Sequence, residues 1–275
     1  MPKIIKAIIP VAGLGTRFLP ASKAVPKELL PILDRPLLQL IVEEIASAGI
    51  EEIIFVISPE KNEIEKFFAR DEKLEKKLVE KGKTELLTEI QKISEIAKFS
   101  FVEQVEALGD GHAILQAREK IGDENFLVVF GDDLLLGEPT RQLLEAYEEK
   151  NGPIVGLQKV APSEVEKFGI VGLGENDVIE KFVEKPKAAE APSDLAIVGR
   201  YICPPEIMEI LAQNPSQSGE IRLIDALEIL QKQTQIFGKV LEGQRFDCGQ
   251  KTGWLAANLH FAKQDPEIAK FLENA

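Results

Sequence analysis

The residues with the most evident chemical capacity follow the first apolar run of the chain. They read Val11-Ala12-Gly13-Leu14-Gly15-Thr16-Arg17-Phe18-Leu19-Pro20-Ala21-Ser22-Lys23-Ala24-Val25-Pro26-Lys27-Glu28. A glycine turn at the carboxyl edge of a parallel sheet lets backbone amides approach phosphate oxygens closely. The dinucleotide-binding fingerprint needs a third glycine where this chain carries Phe18. The NTPase loop needs a glycine, four residues and then Gly-Lys-Ser/Thr, a string found nowhere in the chain. What remains is a Gly-x-Gly-Thr turn escorted by three cations, Arg17, Lys23 and Lys27. A guanidinium can hold phosphate through two parallel N–H bonds, and a lysine supplies a point charge. Pro20 and Pro26 stiffen the segment that carries these cations.

Acidic groups recur at strand ends. Phe126–Phe130 is apolar and runs into Gly131-Asp132-Asp133, and Asp247 lies in the turn Arg245-Phe246-Asp247-Cys248-Gly249. Carboxylates at the carboxyl end of a buried strand sit at the ligand-binding edge of an open sheet. Glu184-Lys185-Pro186 closes another strand-like run, and Gln104 can offer an amide to a base edge. The chain has two histidines, His112 and His260, and both are expected to be structural. Ser22 and Cys248 lack an evident base, so a covalent nucleophile is unsupported. Cys203 and Cys248 have no partner at metal spacing and are expected to be reduced packing residues.

The elements that must hold these groups alternate through the first half. Strand-like runs at Ile4–Ala12, Ile53–Ser58, Phe99–Glu103 and Phe126–Phe130 are separated by helical patterns at Pro36–Ala48 and Ala113–Ile121. Such a βαβ rhythm predicts an α/β fold, with a mainly parallel open sheet flanked by helices on both faces. Lys61 to Lys98 interrupts it with a charged helical insert, whose thin apolar stripe is Leu74, Leu78, Leu86, Ile90 and Ile93, read as a solvated insert or an oligomer contact. The second half is richer in strands, at Ile154–Val160, Gly169–Leu173, Ile179–Val183 and Leu195–Ile202, some of them antiparallel. Helical patterns follow at Glu220–Gln233 and Thr252–Lys263, the latter within a helical C-terminal segment, 251–275. No repeat or Gly/Ser-rich hinge divides the 275 residues, which predicts one mixed α/β domain with a β-rich second half.

With 46 acidic against 33 basic residues, the net charge is −13. A chain of that sign is repelled by nucleic acid and anionic lipid, so phosphate binding must depend on a local cluster of cations and amides. No apolar run is long enough to span a bilayer. Met1-Pro2-Lys3 leads directly into a strand-like run, and the expected address is the cytoplasm.

Long motifs in register over nearly the whole chain carry a family resemblance. GLGTRFLPASKAVPKELLPILDRPLLQ resembles the signature of the sugar-1-phosphate nucleotidylyltransferases, closest to the branch using UTP and glucose 1-phosphate. Further matches are Ala107–Ala113, Val183–Lys187, Ala196–Tyr201, Gly219–Ala226 and Arg245–Gly249. The resemblance implies a Rossmann-like sheet with a β-rich sugar-binding lobe, Mg²⁺-assisted attack of a sugar phosphate on UTP, and a homodimer or homotetramer. It assigns Ala12, Gly13, Gly15, Thr16, Gln104, Gly109 and Asp132 to the nucleotide, and Gly169, Glu184, Lys185 and Gly199 to the sugar. Asp132 and Asp247 are the implied metal ligands, and Arg17, Lys27 and Lys185 the implied catalytic cations. Gly131-Asp132-Asp133 stands where Pro-Asp-Val is common and related thymidylyltransferases carry Gly-Asp-Asn, a departure that bears on Asp133 and on nucleotide selectivity; Arg222 and Ile224 replace the commoner Gln and Thr, changes read as neutral. The same chemistry with dTTP or another sugar phosphate, a UDP-sugar-dependent glycosyltransferase, and a non-catalytic sensor remain alternatives.

Overall fold

A computed structural model of the protein describes residues 3–213 and 219–273. The chain opens with strand β1 (Lys6–Pro10) and a loop of three short 3₁₀ turns, Thr16–Phe18, Ala21–Lys23 and Lys27–Leu29. A hairpin, β2 (Pro31–Ile32) and β3 (Arg35–Pro36), leads into helix α1 (Leu37–Ser47) and strand β4 (Glu52–Ile57). Helices α2 (Asn62–Phe68), α3 (Glu72–Glu80) and α4 (Thr84–Glu95) precede β5 (Lys98–Glu103). Helices α5 (Asp110–Gln116) and α6 (Arg118–Ile121) return the chain to β6 (Phe126–Val129). After β7 (Asp133–Leu135) and α7 (Pro139–Lys150) come β8 (Ile154–Lys159), β9 (Gly169–Leu173), β10 (Ile179–Glu184) and β11 (Leu195–Cys203). Helices α8 (Glu206–Gln213) and α9 (Leu223–Leu230), strands β12 (Phe237–Val240) and β13 (Arg245–Asp247), and helices α10 (Lys251–Ala262) and α11 (Pro266–Glu273) complete the described chain.

Nine strands form one sheet. Its main path is β10-β9-β11-β6-β1-β4-β5, and β8 joins the other edge of β11 and carries β12. β6, β1, β4 and β5 are parallel, and β11 runs antiparallel to β6, β8 and β9. The β-rich half is therefore a continuation of the same sheet. Both faces are covered. On one side Ile9, Phe55, Leu127 and Val129 pack with Leu38, Ile41 and Leu143. On the other Ile8, Ile54, Phe126 and Val128 pack with Ile114, Leu211 and Leu227. Alternate residues of one strand thus serve two cores, which explains the near-continuous apolar runs. β1 feeds β4 on one side through α1, whereas β6 lies on its other side after the return through α5 and α6. The connections diverge at β1/β6, and a crevice opens at the carboxyl ends there.

Three expected elements differ. The Glu220–Gln233 pattern is helical only over Leu223–Leu230. Ile221 is held extended, its N–H donating to Leu108 and its carbonyl accepting from Gly111. The Ala113–Ile121 helix begins earlier, at Asp110, and breaks at Ala117. The 61–98 insert is three helices, and its beginning is not solvated: Ile64 and Phe68 are buried in the first core.

Candidate active site

The glycine loop leaves β1 at the crevice and is fixed from three sides. Gly15 adopts left-handed φ, and its carbonyl accepts from Ser22 Oγ at 2.7 Å and from Phe18 N–H. Phe18 packs edge-on against Trp254 of α10, and Trp254 Nε1 donates to the Pro31 carbonyl. Arg17 Nη1 reaches the Gly249 carbonyl at 3.4 Å, joining the loop to the turn after β13. Two adjoining chambers result, of about 290 and 310 Å³, with Asp110, Phe130 and Asp132 as their shared wall.

Ala12, Gly13, Lys27, Gln104 and Gly109 line the first chamber. Gln104 is 5% exposed; its Nε2 donates to the Gly109 carbonyl at 3.0 Å and lies 3.0 Å from His112 Nδ1. The side-chain carbonyl is thereby left for a ligand donor. Gly109 has φ 107°, and a Cβ there would lie 2.4 Å from the Ile221 carbonyl oxygen, so no other residue fits. His112 lines neither chamber and buttresses Gln104, in keeping with the structural role expected of it.

Arg17, Asp247, Gly169, Glu184, Lys185 and Gly199 line the second chamber. Gly169 pairs with Glu184 across β9 and β10, and a Cβ on Gly169 would come 3.1 Å from Glu184 Oε2. Lys185 has φ 46° and its Nζ lies 3.2 Å from Glu184 Oε1, so a strained backbone presents the cation beside the carboxylate. At Gly199 the room is taken by protein. A Cβ there would meet the Phe130 side chain at 2.7 Å, so this glycine admits Phe130 rather than directly making space for a hexose.

Gly15 and Thr16 line neither chamber and shape the loop instead, while Lys23 is exposed outside both. Sequence reasoning assigned no role to several groups that the fold brings in. Asp110 accepts from Gly111 N–H and Leu223 N–H and anchors two helix starts on the shared wall. Asp133 is consumed by structure: it takes Arg245 bidentately, both contacts at 2.7 Å, and accepts from Gly199 N–H. Arg245 in turn lies over the Phe168 ring. Arg222 and Ile224 line the second chamber, so these two departures from the family pattern are not remote from the ligand space.

Lys27 Nζ pairs with Asp132 Oδ2. Burial pulls the ammonium down, but Asp132 and Glu28 outweigh it and hold its pKa above the ordinary lysine value. Burial also pushes the Asp247 carboxyl up, as do the nearby charges of Asp133 and Asp132. Asp132 and Asp247 converge on Gly249: a Cβ there would lie 2.7 Å from Asp132 Oδ2 and 3.1 Å from Asp247 Oδ1. Among the described residues no group of three or more His, Cys, Asp or Glu side chains is arranged to hold a metal. Two converging hard-oxygen donors without imidazole or thiolate fit a divalent cation that completes its shell with phosphate and water.

The two chambers thus meet at one wall, with Lys27 lining the first and Arg17 and Lys185 the second. A family model described as nucleotidyl transferase matches residues 6–264, which take in both chambers, and the chain belongs to that family. Within it the chain is 46% identical to UTP–glucose-1-phosphate uridylyltransferase 2 of Staphylococcus saprophyticus, covering 99% of this chain and 98% of that protein. It is also 46% identical to UTP–glucose-1-phosphate uridylyltransferase of Bacillus subtilis, covering 98% and 94%. Among solved structures, a UTP-bound UGPase from Acinetobacter baumannii superposes with a TM-score of 0.92 at 37% identity over 98% of each chain. A UDP-glucose pyrophosphorylase complexed with UDP-glucose superposes with a TM-score of 0.86 at 37% identity, over 95% of this chain and 100% of that one.

Proposed function

We propose that the protein transfers the uridylyl group of UTP to α-D-glucose 1-phosphate, giving UDP-glucose and pyrophosphate. The observation that carries this reading is the pair of chambers meeting at Asp132, one lined by Gln104 and the glycine loop and one by Glu184 and Lys185. The full-length likeness to UTP–glucose-1-phosphate uridylyltransferases supports the choice of substrates.

The attacking group is a sugar phosphate oxygen, already anionic near neutral pH, so no general base is required. A bond forms from that oxygen to the α-phosphorus of UTP as the bond to the pyrophosphate oxygen breaks. Repulsion between two polyanions is the main obstacle, and alignment with charge compensation is the remedy. Lys185 holds the attacking phosphate, and Glu184 accepts hydrogen bonds from sugar hydroxyls above Gly169. Arg17 and Lys27 steady the triphosphate and the departing pyrophosphate. The Gln104 carbonyl accepts the N–H of a pyrimidine such as uracil, with Ala12, Gly13 and Gly109 packing around the ring. Cytosine presents an acceptor at that ring position and is disfavoured. Asp132 and Asp247 would hold Mg²⁺, which supplies charge neutralisation at the phosphates when bound.

A pyrophosphate-release assay over four nucleoside triphosphates and several sugar 1-phosphates tests the assignment. UTP with glucose 1-phosphate is expected to give the highest kcat/KM; a higher value with dTTP would move the assignment to thymidylyl transfer. Among the described residues no helix is long and apolar enough to cross a membrane.

A further inference from the structure

Lys61 precedes α2, in the segment that the sequence pattern sets apart as an insert, yet it is 9% exposed and lies under the glycine loop. Its Nζ donates to the Val11 carbonyl at 2.6 Å and to Glu28 Oε2 at 2.9 Å. Val11 is where the loop leaves the sheet, its N–H donating to the Val56 carbonyl, and Glu28 is where the loop returns. One ammonium group therefore clasps both ends of the loop. Glu28 is 2% exposed, and its other oxygen, Oε1, lies 3.9 Å from Lys27 Nζ. Lys27 thus stands between two carboxylates, Glu28 behind it and Asp132 in front.

We propose that Lys61 is a positioning residue that closes the nucleotide loop and neutralises Glu28, so that the Lys27 ammonium faces the phosphates. Burial pushes the Glu28 carboxyl up, and a counter-ion is what keeps so buried a carboxylate charged. Without Lys61, the cation left beside Glu28 among the described residues is Lys27, and Glu28 would draw it back from the chamber. The α2 segment is by this account part of the active site's foundation. The inference deepens the nucleotide reading of the first chamber and rests on it.

The test compares Lys61→Met, Lys61→Arg and the double variant Lys61→Met with Glu28→Gln. Readouts are UTP binding without divalent cation, kcat, KM for each substrate, and thermal denaturation. Lys61→Met is expected to weaken UTP binding about tenfold or more, with the KM for glucose 1-phosphate changed by less than about twofold. Glu28→Gln in that background is expected to recover at least about fivefold, since no carboxylate then competes for Lys27. Lys61→Arg keeps the charge and is expected to bind UTP better than Lys61→Met. A Lys61→Met protein binding UTP like wild type, or a folded double variant binding no better than the single one, would overturn the proposal. Should Lys61→Met fail to fold, the double variant carries the test, because it holds no unpaired buried charge. It is then expected to bind UTP within about tenfold of wild type, and binding lost beyond that in a folded protein overturns the proposal that Lys61 acts by keeping Glu28 from Lys27. Loss of UTP binding in Lys61→Met, in a protein whose wild type binds UTP but makes no UDP-glucose, would refute the activity and leave the clasp intact.

Discussion

In the proposed reaction Lys27 carries the central charge, because it is the cation paired with Asp132 on the wall shared by both chambers. Its raised pKa keeps it charged throughout the neutral range. Lys27→Ala is expected to lower kcat by about 10²-fold or more, as for other preorganised charge stabilisers; steady-state turnover near the wild-type value would remove it from the mechanism. Arg222 is a second residue-scale case. Its Nε and Nη2 are bound by Asp225, leaving Nη1 without a partner among the described residues beside a chamber that also holds Glu184. Arg222→Gln should raise the KM for the sugar 1-phosphate about fivefold or more and leave that for UTP unchanged. Equal KM values for the sugar phosphate in the two proteins would show the substitution to be neutral after all.

Elements carry these residues, and their stability can be probed separately. Arg200 on β11 is 1% exposed, and its three guanidinium nitrogens have no hydrogen-bond partner among the described residues. Its nearest counter-charge, Glu44 of α1, lies at 3.3 Å and already accepts from Thr140 N–H and Oγ. A buried cation so poorly compensated contributes little net stability. Arg200→Met should therefore leave the denaturation midpoint unchanged or raised, and a drop of more than about 2 kcal/mol in unfolding free energy would contradict this. The strands were legible because both faces of each are buried, giving apolar runs at β1, β4 and β6 that no loop would carry. The glycine turn and the acids at strand ends were legible because backbone approach and charge demand particular residue types. Lys61, Glu28 and Asp110 were not, because their partners are remote in sequence: Lys61 meets Val11 and Glu28, and Asp110 meets Leu223. A lysine in a charged stretch gives no sign that it points inward. The start of the Glu220–Gln233 pattern failed for the same reason, since the pairing of Ile221 with Leu108 overrides local propensity.

At the scale of the molecule, the net charge is −13, and the crevice sets Arg17, Lys27, Lys167, Lys185, Arg222 and Arg245 among carboxylates such as Asp132, Glu184 and Asp247. The negative exterior cannot attract polyanionic substrates, so binding must depend on short-range groups. The two cysteines are free and buried, as expected. Burial pushes both thiols up to about 12, with nearby aspartates adding to the effect at Cys248. In the unfolded chain they would ionise near the ordinary value of 9.0, so the unfolded state loses protons first. Their contribution is fully present below pH 9 and is lost as pH rises towards about 12. The denaturation midpoint should fall through that window, less steeply in a Cys203→Ala, Cys248→Ala variant. An identical alkaline slope in the variant would assign the loss to other groups. The account as a whole is tested most directly by the crystal structure of the protein with UDP-glucose. The uracil is expected against Gln104, the glucose against Glu184 and Gly169, and the diphosphate across the Asp132 wall. A ligand bound away from the glycine loop and Lys27 would contradict it.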